Sequence, residues 1–238
     1  MKTNTSLAQL IALCCLAHTV CGQGTFQNLN FEAATIVPIP GDLLGRVEVG
    51  PAFPGWTVIG GLDNSLYNKI YLDSTGISIM DDPNCQFGGC RILGGNYTAV
   101  LNAGVVGTIT NVQDIKLFQT GTVPGGAQSL RFSAYFAGLG SMETSVDVVL
   151  GGQQLSFIAL ETGTNFNVYA ADIHQLAGQT AELDFILRSQ VPHISNRLLF
   201  LDDIQFSDIA VPEPGAMALF GLGAAVMFWK IRKLKAES

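Results

Sequence analysis

Cys85 and Cys90, in "DPNCQFGGCRIL", are the residues whose type and spacing most directly imply chemistry. Four residues separate them, two of them Gly, and in an exported chain that spacing predicts a local disulfide closing a hairpin-like loop. A zinc site would need more Cys or His nearby, and a redox pair would favour the tighter C-x-x-C spacing. Past the N-terminal segment the only histidines are His174 in "ADIHQL" and His193 in "QVPHISN", both in polar stretches that suit solvated imidazoles. No nucleophile elbow, H-E-x-x-H pair or phosphate loop occurs. Carboxylates are plentiful, but no spacing marks two of them as a glycosidase couple. Sugar platforms need exposed aromatic faces beside hydrogen-bonding groups, which makes Tyr67 and Tyr71 in the polar "DNSLYNKIYLD" the ligand candidates. Trp56, opening "WTVI" after a Pro-Gly turn, reads as core.

Strands must position these residues. "TFQNLNFE", "WTVIGG", "NKIYLD", "GISIMD", "YTAVLN", "SLRFSAYF", "TSVDVVLG", "QLSFIAL", "FNVYAA", "TAELDFIL" and "RLLFLDDIQFS" are rich in β-branched and aromatic types and separated by Gly, Pro, Asn or Asp. In "SLRFSAYF" the alternation is clear: Leu130, Phe132, Ala134 and Phe136 share one face, with Arg131, Ser133 and Tyr135 on the other. The expected fold class is all-β, an antiparallel β-sandwich, without the period of a propeller or solenoid.

Charge and hydropathy divide the 238 residues into three parts. Residues 1–22 have Lys2, the apolar run "LAQLIALCCLAHTV" and small or apolar residues before a cut after Gly22, the layout of a signal peptide. Residues 23–210 hold seven Lys and Arg against seventeen Asp and Glu, an acidic body that argues against nucleic acid as a partner. The end inverts this: after "VPEP" at Val211, Pro212, Glu213 and Pro214 comes an apolar stretch over 215–229, then Lys230, Arg232, Lys233 and Lys235. A helix of that stretch would be roughly 22 Å long, short of the ~30 Å hydrocarbon core, and suits a temporary stop-transfer with its bases held inside. The two prolines keep the tetrad extended and open to an enzyme.

This three-part ending resembles the PEP-CTERM sorting signal, which implies an exosortase as processing partner, a transient stay in the inner membrane, and delivery to the cell surface or extracellular matrix of a Gram-negative bacterium. "NLNFEAA", "FPGWTV", "ADIHQLAGQTAELDFIL" and "LFLDDIQFS" resemble the galactose-binding-like jelly-roll domains of exported proteins and carbohydrate-binding modules. That resemblance implies a jelly-roll sandwich, exopolysaccharide as a ligand, and a structural calcium ion where the first and last strands meet, with Glu32 and Asp203 at the matching positions. Adjacent Asp202 and Asp203 point to opposite faces of a regular strand, so one would be buried and in need of a cation or donors. The expected function is a non-enzymatic, exosortase-processed surface or matrix protein; the alternative is a secreted polysaccharide-active enzyme, a glycosidase or lyase.

Overall fold

The computed structural model describes residues 23–212 apart from 62–63, 71–73, 85–89, 107, 139–140 and 190–196. The signal peptide over 1–22, Cys85, Tyr71, His193, Glu213, Pro214 and the apolar and basic segments over 215–238 lie outside the described residues. No helix among the described residues is long and apolar enough to cross a membrane.

In chain order the strands are β1 (Arg46–Glu48), β2 (Thr57–Ile59), β3 (Asn64–Tyr67), β4 (Gly76–Met80), β5 (Thr98–Val106), β6 (Thr108–Gln113) and β7 (Ile115–Thr122), followed by β8 (Ser129–Ala137), β9 (Val146–Leu150), β10 (Gln153–Gln154), β11 (Phe157–Thr162), β12 (Asn167–Asp172), β13 (Thr180–Leu187) and β14 (Arg197–Ser207). The helical pieces are single turns: α1 (Val49–Ala52), α2 (Met142–Ser145) and a 3-10 turn over His174–Leu176. The larger sheet runs β1-β3-β4-β5-β14-β8-β12-β11, with β6 paired off β5, and the smaller runs β10-β9-β13-β7-β2. The all-β, two-sheet sandwich expected from the sequence is the fold.

Alternation works as the strand pleat requires. Leu130, Phe132 and Ala134 of β8 point into the space between the sheets, opposite Leu183, Phe185 and Leu187 of β13, and all are buried. Aromatic rings link the layers: Phe132 stacks on Tyr169 at 5.6 Å and meets Phe157 at 5.7 Å and Phe185 at 5.3 Å edge-on, and Phe185 leads to Trp56 at 6.5 Å, which stacks on Phe31 at 5.7 Å. Trp56 is therefore core, and its indole N–H donates to the Asn28 carbonyl at 3.0 Å. A second cluster covers the far face of the larger sheet, where Met80, Val100, Leu198 and Phe200 lie under Cys90 and Leu93 of the β4–β5 connection. The connection is pinned across that face by Arg91, whose guanidinium lies 3.7 Å from the Tyr135 ring centre and donates to the Asn165 carbonyl at 3.1 Å.

Three expectations need correction. "TFQNLNFE" is a string of turns: Asn28 and Phe31 take positive φ values of 50° and 58°, which curls the segment so that Phe26, Leu29 and Phe31 all enter the core. The sandwich is not wholly antiparallel, since β3 pairs with β4 in parallel. Asn68 fixes the strand ends together, its side-chain oxygen accepting the Asp81 N–H at 2.9 Å and the Asp82 N–H at 3.1 Å. Finally, Asp202 and Asp203 do not sit in a regular strand. The register of β14 against β8 breaks between Asp202 and Gln205, and Asp203 has φ 47°.

Candidate functional site

The turn over residues 28–33 delivers Glu32. The Asn28 side-chain oxygen accepts the Ala33 N–H at 2.9 Å and its amide donates to the Pro54 carbonyl at 3.2 Å, so Phe31 sinks inward while Glu32 faces the loop after Leu93. Glu32 Oε1 accepts the N–H groups of Asn96 at 2.7 Å and Tyr97 at 2.9 Å, and Oε2 accepts the Asn96 side-chain amide at 2.7 Å. Burial raises its pKa, but these three donors outweigh burial and hold the carboxyl below its ordinary range. Gly95 suits this turn, with a positive φ of 50° that favours glycine, and a Cβ there would push the Glu32 carboxylate off its donors.

The break in β14 brings Asp202 and Asp203 to the same loop. Asp202 is 1% exposed. Its Oδ2 accepts the Thr98 hydroxyl at 2.8 Å and the Gly94 N–H at 3.1 Å, its Oδ1 accepts the Asp203 N–H at 2.8 Å, and Thr98 Oγ1 in turn accepts the Leu93 N–H at 2.9 Å. Burial dominates these donors and pushes Asp202 up to about 7. Asp203 is half-buried and its carboxylate accepts no hydrogen bond among the described residues; burial and the charge of Glu32 raise its pKa. A Cβ on Gly94 would strike this carboxylate.

Two neighbouring carboxylates shifted in opposite directions are the pattern of an acid and base couple. Here both press against the backbone of Gly94 and Gly95, where a substrate would have to lie. The arrangement fits a hard cation better: Asp203 lacks a donor, Glu32 carries an uncompensated charge beside it, and all the side-chain atoms offered are oxygens. No set of three or more His, Cys, Asp or Glu side chains among the described residues is arranged to hold a metal, so such a cation would draw its remaining oxygens from backbone carbonyls.

Asp202 makes the fold sensitive to pH. Without a bound cation, the folded domain keeps this proton between about pH 4 and pH 7 while the unfolded chain has lost it, so stability declines as pH rises through that window and levels off above it. Glu32 acts with the opposite sign and lower down, its contribution disappearing as pH falls through its depressed pKa. Urea midpoints measured across pH 4–8 should show the decline, and Asp202→Asn should flatten it; an unchanged slope in the variant would assign the effect elsewhere.

The other residues singled out in the sequence fall apart from this cluster. Tyr67 donates its hydroxyl to Asp81 Oδ2 at 2.6 Å, a bond that with burial pushes it up to about 12, and its ring packs against the main core. Cys90 is buried in the second cluster. Val211 and Pro212 follow β14 after three intervening residues: the Ile209 N–H donates to Ser207 Oγ at 3.1 Å and the Ser129 hydroxyl donates to the Ile209 carbonyl at 2.7 Å, so the chain is pinned to the sandwich two residues before the tetrad begins. Sequence reasoning missed Thr98, Gly94 and Asn96; the only outward sign was the Gly-Gly pair ahead of "NYT".

Residues 210–233 match the PEP-CTERM protein-sorting motif. No curated protein matches the chain. Among solved structures, one similar chain is a carbohydrate-binding module, TmCBM61, in complex with β-1,4-galactotriose, at 12% identity and a TM-score of 0.34 over 76% of this chain and 96% of that one. Another is the enzymatically active domain of tailspike protein 4 from bacteriophage CBA120, at 16% identity and a TM-score of 0.31; it covers 65% of this chain, which spans 19% of that domain.

Proposed function

We propose that this protein is an exported β-sandwich that an exosortase-type enzyme processes at Val211–Pro214, after a transient stay in the inner membrane, and releases to the cell surface or extracellular matrix of a Gram-negative bacterium. The folded domain acts there without catalysis, by binding exopolysaccharide, with a calcium ion between Glu32 and Asp203 holding its first and last segments together. The observation that carries the reading is the sorting motif at 210–233, which begins three residues after the last strand ends at Ser207. Catalysis is disfavoured because carboxylates across the domain are committed to fixed partners: Asp42 to Arg46, Asp114 and Asp147 to Arg188, Glu182 and Asp184 to Lys116.

Intact-mass spectrometry of protein recovered from the cell surface tests this. The mature chain should lack residues 1–22 and everything after about Pro214, and before reduction it should be two hydrogens lighter than the thiol form, as a Cys85–Cys90 bridge requires. It should also sediment with the cell's exopolysaccharide and leave that polymer's length unchanged. Surface protein that retains its basic tail would mean a permanent anchor instead, and shortened polymer would favour the glycosidase reading.

A further inference from the structure

Leu43, at 97%, is the most exposed large apolar side chain among the described residues, and its neighbour Leu44 is 57% exposed, the same as Ile59 in β2. They sit side by side at the tip of the loop over 39–46, and that loop is firmly built. The Ile39 N–H donates to the Arg46 carbonyl at 3.1 Å and the Asp42 N–H to the Ile39 carbonyl at 3.2 Å. Arg46 grips Asp42 through Nε at 2.9 Å and Nη2 at 2.7 Å, while the Arg46 N–H donates to the same carboxylate at 2.7 Å. Lys69 Nζ donates to the Leu44 carbonyl at 2.8 Å, passing over Gly45, where a Cβ would crowd it at 3.0 Å. A leucine pair so held in water has not been left out of the core by a loose loop; it is presented.

The topology says to what. β1 runs antiparallel to β3, β3 parallel to β4, and β4 antiparallel to β5, which is antiparallel to β14. The start of β1 and the end of β14 therefore point toward the same end of the larger sheet, four strand positions apart; the registers set Arg46 level with Phe200, so Ser207 projects further along the strands and the two points are roughly 28 Å apart. From that end the chain leaves at Ile209 and reaches the apolar stretch beginning at Gly215 with five residues between, at most roughly 21 Å. A domain so closely tethered brings the end of β14 to the lipid, and by leaning toward β1 it sets the leucine tip down beside it. Its acidic body would be repelled by anionic headgroups, whereas the tip offers two leucines beside the Lys69 ammonium, the composition of an interfacial anchor.

We propose that Leu43 and Leu44 insert into the surface of the bilayer that holds the sorting signal, so that the unprocessed protein stands on the membrane at two points. The contact rests on the reading of 211–238 as a membrane-held sorting signal, and the experiment separates the two. The full-length chain carrying Leu43→Trp and Trp229→Phe is reconstituted in vesicles of phosphatidylcholine and phosphatidylglycerol brominated near the headgroup, with buried Trp56 as the internal reference. Trp at position 43 should shift to the blue and lose about half of its emission to bromine, as expected for side chains at the headgroup boundary. Emission unaffected by bromine overturns the loop contact if Trp229 of the unsubstituted chain is quenched in the same vesicles. If Trp229 also escapes quenching, the membrane-held precursor fails and the loop contact with it. A blue shift without quenching means that protein, a second copy or another chain, covers the tip, which equally overturns contact with lipid.

Discussion

Phe132→Ala is expected to remove about 3–5 kcal/mol of stability, the range for deleting a fully buried aromatic ring from a core that cannot collapse around the space. Phe132 is 0% exposed and meets Phe185 from the opposite sheet as well as Tyr169 and Phe157 from its own, so its loss opens a hole between two rigid layers. With total stabilities commonly 5–15 kcal/mol, a large part of the folding free energy would go with one side chain. Urea unfolding checks this through a lower midpoint at constant slope. A loss below about 1 kcal/mol would mean that the layers do not pack through this ring.

Calcium should raise the unfolding free energy by about 2.7 kcal/mol at a hundredfold excess over its dissociation constant, because it binds the folded state alone. A chelator should remove that gain, and neither Glu32→Ala nor Asp203→Ala should show it. The two variants should differ without metal. Glu32→Ala strands the N–H groups of Asn96 and Tyr97 and so weakens the domain, whereas Asp203→Ala removes a half-buried charge that nothing neutralises. A midpoint indifferent to calcium, with none found by elemental analysis, would leave these carboxylates as clamps on the 94–97 loop only.

How far the sequence could be read depended on whether a residue's role was local. β8 and β13 were visible because their inward residues are apolar without interruption. β7 was not, since Gln119 and Gly121 occupy inward positions: Gln119 is buried because its amide donates to the Gln27 carbonyl at 3.0 Å and accepts the Gln27 N–H at 2.9 Å, a partnership 92 residues away. The opening segment was misread for the opposite reason, its Phe and Leu residues suggesting a strand while positive φ at Asn28 and Phe31 makes turns. At the candidate site, the acids at both ends of the fold stood out. Asp202 as the buried member did not, since alternation assumes the regular strand that Asp203 interrupts, and Thr98 and Gly94 acquire their roles only once the loop closes over β14.

β14 lies in the middle of the larger sheet, between β5 and β8, yet it is the last strand among the described residues. On the proposed export route, with the N-terminus crossing first, β5 and β8 would each lack one native neighbour until β14 is delivered. Closure of the larger sheet needs the segment that immediately precedes the sorting motif, so on that route completion of the fold and arrival of the motif at the membrane would fall within one short interval. Until then two unpaired edges would be open to strands from neighbouring molecules, a hazard that ends when the final forty or so residues enter.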